Sequence, residues 1–279
     1  LNACPARSDL QGKTEQMTWL KEIYNYRYFI LTSIITEYRS RFIRSSLGAA
    51  WMILHPLAQV AIFAFILSEV LSAKLPGIDN KHAYAIYLMA GTLGWELFSM
   101  IFSRCLTVFI DNSNIMKKIL FPKIALPIIV IGYSLINNIL LSICIICIFW
   151  ILGHSLSIVL IWLPVIMAVT IAFAAGLGLF FGIINVFVRD VGQVMPIILQ
   201  FWFWLTPIVY MITILPKGLG RFIVYNPMYP IITAYHDILV SHKSPALAPL
   251  GIVGGLSLLL LGMALIVYRR ASADMVDVL

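Results

Sequence analysis

Few residues of this chain could do chemistry, and they are widely spaced. Glu96 stands in "GTLGWELFSMIFSR", two turns before Arg104, inside a long apolar run. A charge at a bilayer centre costs about 2.5–3.5 kcal/mol on insertion scales, so an ionisable group there marks a partner, a hydrated cavity or a function. Glu96 reads either as a paired or partly hydrated carboxylate near an aqueous vestibule or as an ion-coupling group. No basic residue deep in another apolar run supports the second reading. Arg189 and Asp190 lie in "FFGIINVFVRDVGQVMPI" at the end of a run. They are a snorkelling arginine with an adjacent acid, or a pair that fixes a turn and presents charge to a cytoplasmic subunit. Arg39, Arg41 and Arg44 crowd "EYRSRFIRSSLGAAWMILHPL" just before another apolar run, and Lys117 and Lys118 sit in "DNSNIMKKILFPK".

Catalysis finds little support. Cys144 and Cys147 form a C-x-x-C, but within "LSICIICIFW", where both read as small apolar residues of a span. "GKT" at 12–14 has the ending of a phosphate-binding loop, yet Arg7 stands where the first glycine belongs and no apolar strand precedes it. His55, His82, His154, His236 and His242 are scattered, and no acid or histidine cluster has metal spacing. No cofactor or metal is expected on the chain.

Aromatic residues gather late: Trp202, Phe203, Trp204, Tyr210, Phe222, Tyr225, Tyr229 and Tyr235. They read either as an interfacial belt or as the lining of a conduit, where flat rings meet sugar C–H faces and phenol and indole groups supply hydrogen bonds.

The elements that must position these groups follow from composition. Of 279 residues, 61% are apolar and 11% charged, and several uncharged runs are long enough to cross about 30 Å of hydrocarbon as helices. The expected fold is an all-α integral membrane protein, one domain over 1–279, with six spans at 47–71, 83–103, 124–151, 158–188, 194–215 and 247–268. Most of the 19 basic residues fall in 1–46, 104–123, 189–193 and 269–279, which places both termini in the cytoplasm. The net charge of +7 then reads as topology and affinity for lipid headgroups, with no nucleic acid required. No cleavable signal peptide is legible in the first 46 residues, so the first span would serve as targeting signal; Met17 is a candidate initiator.

Residues 17–46 carry apolar side chains at helical spacing and are expected to form an amphipathic helix in the cytoplasmic interface. Residues 112–121 should give about two turns of helix stopped by Pro122, either a solvated connector or a docking element. Ala174, Gly178 and Gly182, and Gly251 and Gly255, stand four residues apart and would let helix backbones approach, within one chain or between two. Segment 216–246 is too apolar for a loop and too interrupted by proline for a clean span, and suits short re-entrant helices that gate an exit.

Three stretches, "YRSRFIRSSLGAAWMILHPL", "NIMKKILFPK" and "NVFVRDVGQVMPIILQFWFWLTPIVY" followed by "YNPMYPI", together resemble the transmembrane subunit of ABC-2 type polysaccharide exporters, the O-antigen, capsule and teichoic acid permeases. The resemblance implies a homodimeric, non-catalytic permease in a bacterial inner membrane. Two copies of a cytoplasmic ATPase subunit would carry ATP and magnesium. Arg39, Arg41, Arg44, Lys117, Lys118, Arg189 and Asp190 would lie at the ATPase junction, and 216–246 would match the periplasmic gate helices. The implied substrate is a polyprenyl-pyrophosphate-linked polysaccharide, most readily an O-antigen. Two further classes stay open. A drug or lipid exporter of the same superfamily would not need the aromatic conduit and gate segment. A membrane-bound glycan enzyme would need catalytic carboxylates, and the one long extracytoplasmic segment offers only Asp237.

Overall fold

A computed structural model describes residues 24, 26–42, 48, 50–51, 54, 57–58, 83–118, 123–151, 157–212, 216–272 and 274–278. The expected first span at 47–71, Arg44 and Met17 therefore lie wholly or largely outside the described residues. The described residues form, in order, the α-helices α1 (Arg27–Phe42), α2 (Ala83–Asp111), α3 (Ser113–Lys118), α4 (Ala125–Ile151), α5 (Leu163–Phe187), α6 (Val191–Leu205), α7 (Lys217–Val224), α8 (Met228–Leu239), α9 (Leu247–Ala271) and α10 (Asp274–Val278). A 3₁₀ turn, Ile158–Trp162, leads into α5, with Ser157 Oγ at its cap and Pro164 in the first turn of α5, where no helical N–H is needed. The described residues contain no strand.

Among the described residues, four helical stretches are long and apolar enough to cross a membrane: Tyr84–Asp111, Ala125–Trp150, Ile158–Phe187 and Leu247–Ala271. The second expected span thus extends eight residues beyond its predicted end at 103. Arg104 does not stop the helix because its charge is paired laterally, as described below. The expected span at 194–215 is corrected more strongly: α6 ends at Leu205, and at 1.5 Å per residue its 15 residues reach only about 22 Å. Pro207 is the cause, since it lacks an N–H and drives Thr206 to extended backbone (φ −104°, ψ 133°).

α2 is the central helix, packed by α4, α5, α6 and α8, and it is buried nearly all round, as Leu88, Leu93, Phe98 and Ile101 illustrate. Small residues permit the closest approach. A Cβ on Gly178 would lie 2.8 Å from Cys105 Cβ, and one on Gly182 would collide with the Cys105 carbonyl. Gly176 does the same for α9, against Leu260 and Leu261. The Gly178/Gly182 stripe therefore works within one chain, whereas Gly251 and Gly255 face open space. Several buried side-chain donors find backbone acceptors: Asn138 Nδ2 of α4 donates across to the Leu93 carbonyl of α2 (3.0 Å), and Thr170, Ser142 and Ser257 donate to the carbonyls four residues back.

α1 lies across one end of this bundle. Ile30 and Ile34 pack onto Ala125 and Ile129 of α4, with Gly132 leaving room for Ile34 Cδ1. Leu31 and Ile35, also apolar, face outward.

Candidate functional site

The chemistry-bearing residues separate to the two ends of α2. At the end near Asp111, the chain leaves α5 through the turn Val188–Arg189–Asp190 and enters α6. Asn185, buried in the last turns of α5, fixes this turn from both sides. Its Nδ2 donates to the Leu106 carbonyl of α2 (2.9 Å), and its Oδ1 accepts from the Gly192 amide (2.8 Å). Arg189 and Asp190 are left exposed on a turn tied to α2 through Asn185. Lys117 of α3 and Arg39 of α1 are also exposed. Arg41 lies in α1 and Lys118 ends α3, but their side chains, like all of Arg44, are outside the described residues. α10 packs on both α3 and α5 through the buried Met275, and Lys123 Nζ donates to the Ser272 carbonyl (2.9 Å), so the C-terminal segment braces α3. Asn112 Nδ2 donates back to the Val108 carbonyl (2.8 Å) and closes the end of α2.

Between α1 and the bundle, Arg104 of α2 pairs with Glu37 of α1, and its guanidinium lies 4.4 Å over the Tyr133 ring of α4. Arg104 thus finds its partner on α1 rather than in Glu96, which sits half-buried higher in α2.

At the opposite end the aromatic residues divide. Trp202 and Phe203 are half-buried, with Trp202 edge-on to Phe98 (5.2 Å) and Phe203 against Trp95 (5.6 Å). Trp204 and Tyr225 are exposed, Tyr225 to 85%. Tyr210 is half-buried and donates to the Trp204 carbonyl (2.9 Å); Tyr229 is half-buried. Tyr235 is completely buried under α2, where Gly94 gives it room, and has no surface on this chain. Trp202, Phe222 and Tyr225 do come together, lining with Leu205, Ile223, Asn226 and Pro227 an open groove of about 580 Å³ that carries no charged side chain.

Asn226 holds that groove together and was not singled out from sequence. Its Oδ1 accepts from Trp202 Nε1 (2.8 Å) and the Met228 amide (3.0 Å), while its Nδ2 donates to Thr206 Oγ1 (2.9 Å) and the Leu205 carbonyl (3.3 Å). The Asn-Pro pair in "YNPMYPI" is a turn signal that could have drawn attention to it, but only folding brings it to the end of α6. His236 was dismissed as scattered. It stacks on Tyr87 (3.8 Å between rings), donates Nε2–H to the Tyr87 carbonyl (3.1 Å), and is pushed down to about 3 by burial, so it stays neutral. Tyr84 donates to the Val209 carbonyl (2.6 Å), so α2 grips both α8 and the turn after α6. Burial also raises the Asp237 carboxyl above its usual range.

This architecture has relatives. The chain is 26% identical over 226 residues to an O-antigen export system permease protein of Klebsiella pneumoniae, covering 80% of this chain and 85% of the relative. It is 24% identical over 260 residues to the O-antigen export system permease protein of Myxococcus xanthus, covering 92% and 98%. It is 23% identical over 251 residues to a polysialic acid transport protein of Escherichia coli, covering 86% and 92%. The family pattern of ABC-2 type transporters matches residues 28–240, from α1 through the end of α8, and the chain belongs to the ABC-2 type transporter family.

Proposed function

We propose that this chain is the permease subunit of an ATP-driven exporter that moves a lipid-linked polysaccharide, an O-antigen in the first instance, from cytoplasm to periplasm. The carrying observation is the groove of Trp202, Phe222 and Tyr225, uncharged and about 580 Å³, on a chain aligned nearly end to end with an O-antigen export permease. An uncharged aromatic surface suits a sliding sugar polymer: rings contact C–H faces, and Asn226 and the phenols exchange hydrogen bonds. A small ion would instead require charged or closely spaced polar ligands.

In this reading both termini are cytoplasmic, and the expected span at 47–71, the four long apolar helices and the shorter α6 form each half of a homodimer in the inner membrane. Segment 216–246, including α7 and α8, re-enters the membrane as the periplasmic gate. Two copies of a separate ATPase subunit bind ATP and magnesium and meet the end that exposes Arg39, Lys117, Arg189 and Asp190, with Arg41, Arg44 and Lys118 at the same junction. Closure of the ATPases moves α1, α3 and the Val188–Asp190 turn. Asn185, Lys123 and the Glu37–Arg104 pair pass that movement to α2 and α4, and the spans shift as packed bodies. The resemblance to a polysialic acid transport protein supports a second reading, export of a capsular polymer by the same device.

The test is deletion of the gene with gel analysis of surface glycans, followed by complementation. Loss of long-chain glycan, its restoration by the wild-type chain and copurification with an ATPase subunit are expected. Unchanged glycans after deletion defeat the assignment.

A further inference from the structure

α6 presents three different faces. Met195, Leu199, Trp202 and Phe203 pack into the bundle, against α2 and α5. Val194, Ile198, Phe201 and Leu205 are exposed and wholly apolar, the composition of a surface turned to acyl chains. Gln193, Pro196, Gln200 and Trp204 are exposed as well. At 3.6 residues per turn their spacing of three, four and four positions sets them in one stripe, on a different side of the helix from the apolar four.

The stripe is polar at a depth where lipid is not. Gln200 lies ten residues past Asp190, about 15 Å along the helix and so near the middle of a hydrocarbon layer of about 30 Å. A primary amide carries two N–H donors and a carbonyl acceptor, and acyl chains would leave them all unpaired. Polar side chains at that depth face protein or a water-filled path. Pro196, between the two glutamines, has no N–H for the Gly192 carbonyl four residues back, which removes that carbonyl's helical partner and adds a backbone acceptor beside Gln193. At the far end of the stripe stands Trp204, whose carbonyl accepts from the Tyr210 hydroxyl (2.9 Å).

We propose that this stripe is a contact surface for the exported polymer, with Gln200, and Gln193 nearer the cytoplasm, exchanging hydrogen bonds with sugar hydroxyls. The inference rests on the export reading above and names residues for it beyond the aromatic groove. A hydroxyl both donates and accepts, as an amide does, so one glutamine serves either orientation and lets a chain of hydroxyls slide past. Trp204 then offers a ring to the C–H faces at the same end of α6 as the groove. A second copy of the chain fits the stripe poorly, because close helix contacts in lipid favour small residues where Pro196 and Trp204 stand.

The test uses the permease together with its ATPase subunit in cells that make the glycan. A photoreactive benzophenone side chain replaces Gln200 or, as a control on the apolar face, Ile198; the cells are irradiated and the purified complex is probed for attached glycan. Glycan adducts are expected from position 200, and lipid adducts or none from position 198. Gln200→Leu should lower export on the order of tenfold while the chain still assembles with the ATPase and supports ATP hydrolysis, and Gln200→Asn, which keeps the amide, should recover most of the rate. Adducts joining two permease chains at position 200, lipid adducts alone there, equal glycan adducts at both positions, or full export by Gln200→Leu would each overturn the proposal. The export reading fails separately, when deletion of the gene leaves the surface glycan unchanged.

Discussion

Replacing Asn185 by leucine removes the clamp between the Arg189–Asp190 turn and α2 while keeping the number and branching of the side-chain heavy atoms. Two hydrogen bonds are lost, to the Leu106 carbonyl (2.9 Å) and from the Gly192 amide (2.8 Å). A net hydrogen bond is worth about 0.5–1.5 kcal/mol. Neither abandoned group becomes an orphan, because the Gly192 amide keeps the Arg189 carbonyl at 3.1 Å and Leu106, inside α2, keeps its helical partner. The loss therefore falls in the lower half of the range for two bonds, about 1–2 kcal/mol, which corresponds to a 5–30-fold shift in the population of the ordered turn. The assay is the ratio of ATP hydrolysed to glycan exported by the purified transporter in proteoliposomes. Asn185→Leu should retain ATPase activity and lose export several-fold. Gly192→Ala approaches the same clamp from the other side, since its Cβ would lie 2.8 Å from Asn185 Oδ1, and should give the same defect. The double variant should be little worse than either single one, because both remove one interaction. A normal coupling ratio in Asn185→Leu at full export rate would refute the clamp.

Further outcomes follow from the same geometry. Gly182→Ala, which drives a methyl into the Cys105 carbonyl, should cost about 1–3 kcal/mol of stability by overpacking, read as lowered melting temperature in detergent, whereas Gly251→Ala should be near neutral. Asn226→Leu removes four hydrogen bonds and should free α7 and the aromatic groove, giving faster proteolysis between α6 and α8 together with reduced export; protection at the wild-type level would count against its hub role. His236, neutral and held down at about 3, contributes stability that is complete above its unfolded value near 6.5 and is lost as pH falls from there toward 3. Between pH 6.5 and 5 the loss should be on the order of 2 kcal/mol, and His236→Phe, which keeps a ring on Tyr87, should flatten that part of the melting-temperature profile.

Much of the helical framework is legible in the amino-acid order because the lipid solvent imposes it. Uncharged runs of sufficient length have to be helices, and the spans near 83, 124, 158 and 247 begin within a residue or so of 83, 125, 158 and 247 in the structure. Where local signals misled, a lateral contact or a backbone restriction decided the outcome. Arg104 should end a span by its charge, yet α2 continues because Glu37, 67 positions away in sequence, neutralises it. The run from 206 to 212 is apolar enough to extend α6, yet Pro207 turns it, and Tyr84 and Tyr87 hold the turn. Among the aromatics, sequence placed Tyr235 and Tyr225 in one set; one is now core and the other is exposed.

Composition and charge placement were enough to determine that the chain is a multi-span membrane protein, since hydrophobic length and the distribution of lysine and arginine are properties of the chain taken alone, and the three stretches taken together carried the resemblance to ABC-2 permeases. The tertiary structure alone decided which polar residues act together. Asn185 with Gly192 and Leu106, Asn226 with Trp202 and Thr206, His236 with Tyr87, and Arg104 with Glu37 lie from 7 to 149 positions apart. In a bilayer their hydrogen bonds depend on the direction each helix presents to its neighbours, and packing sets that direction through the close contacts of Gly178, Gly182 and Gly94.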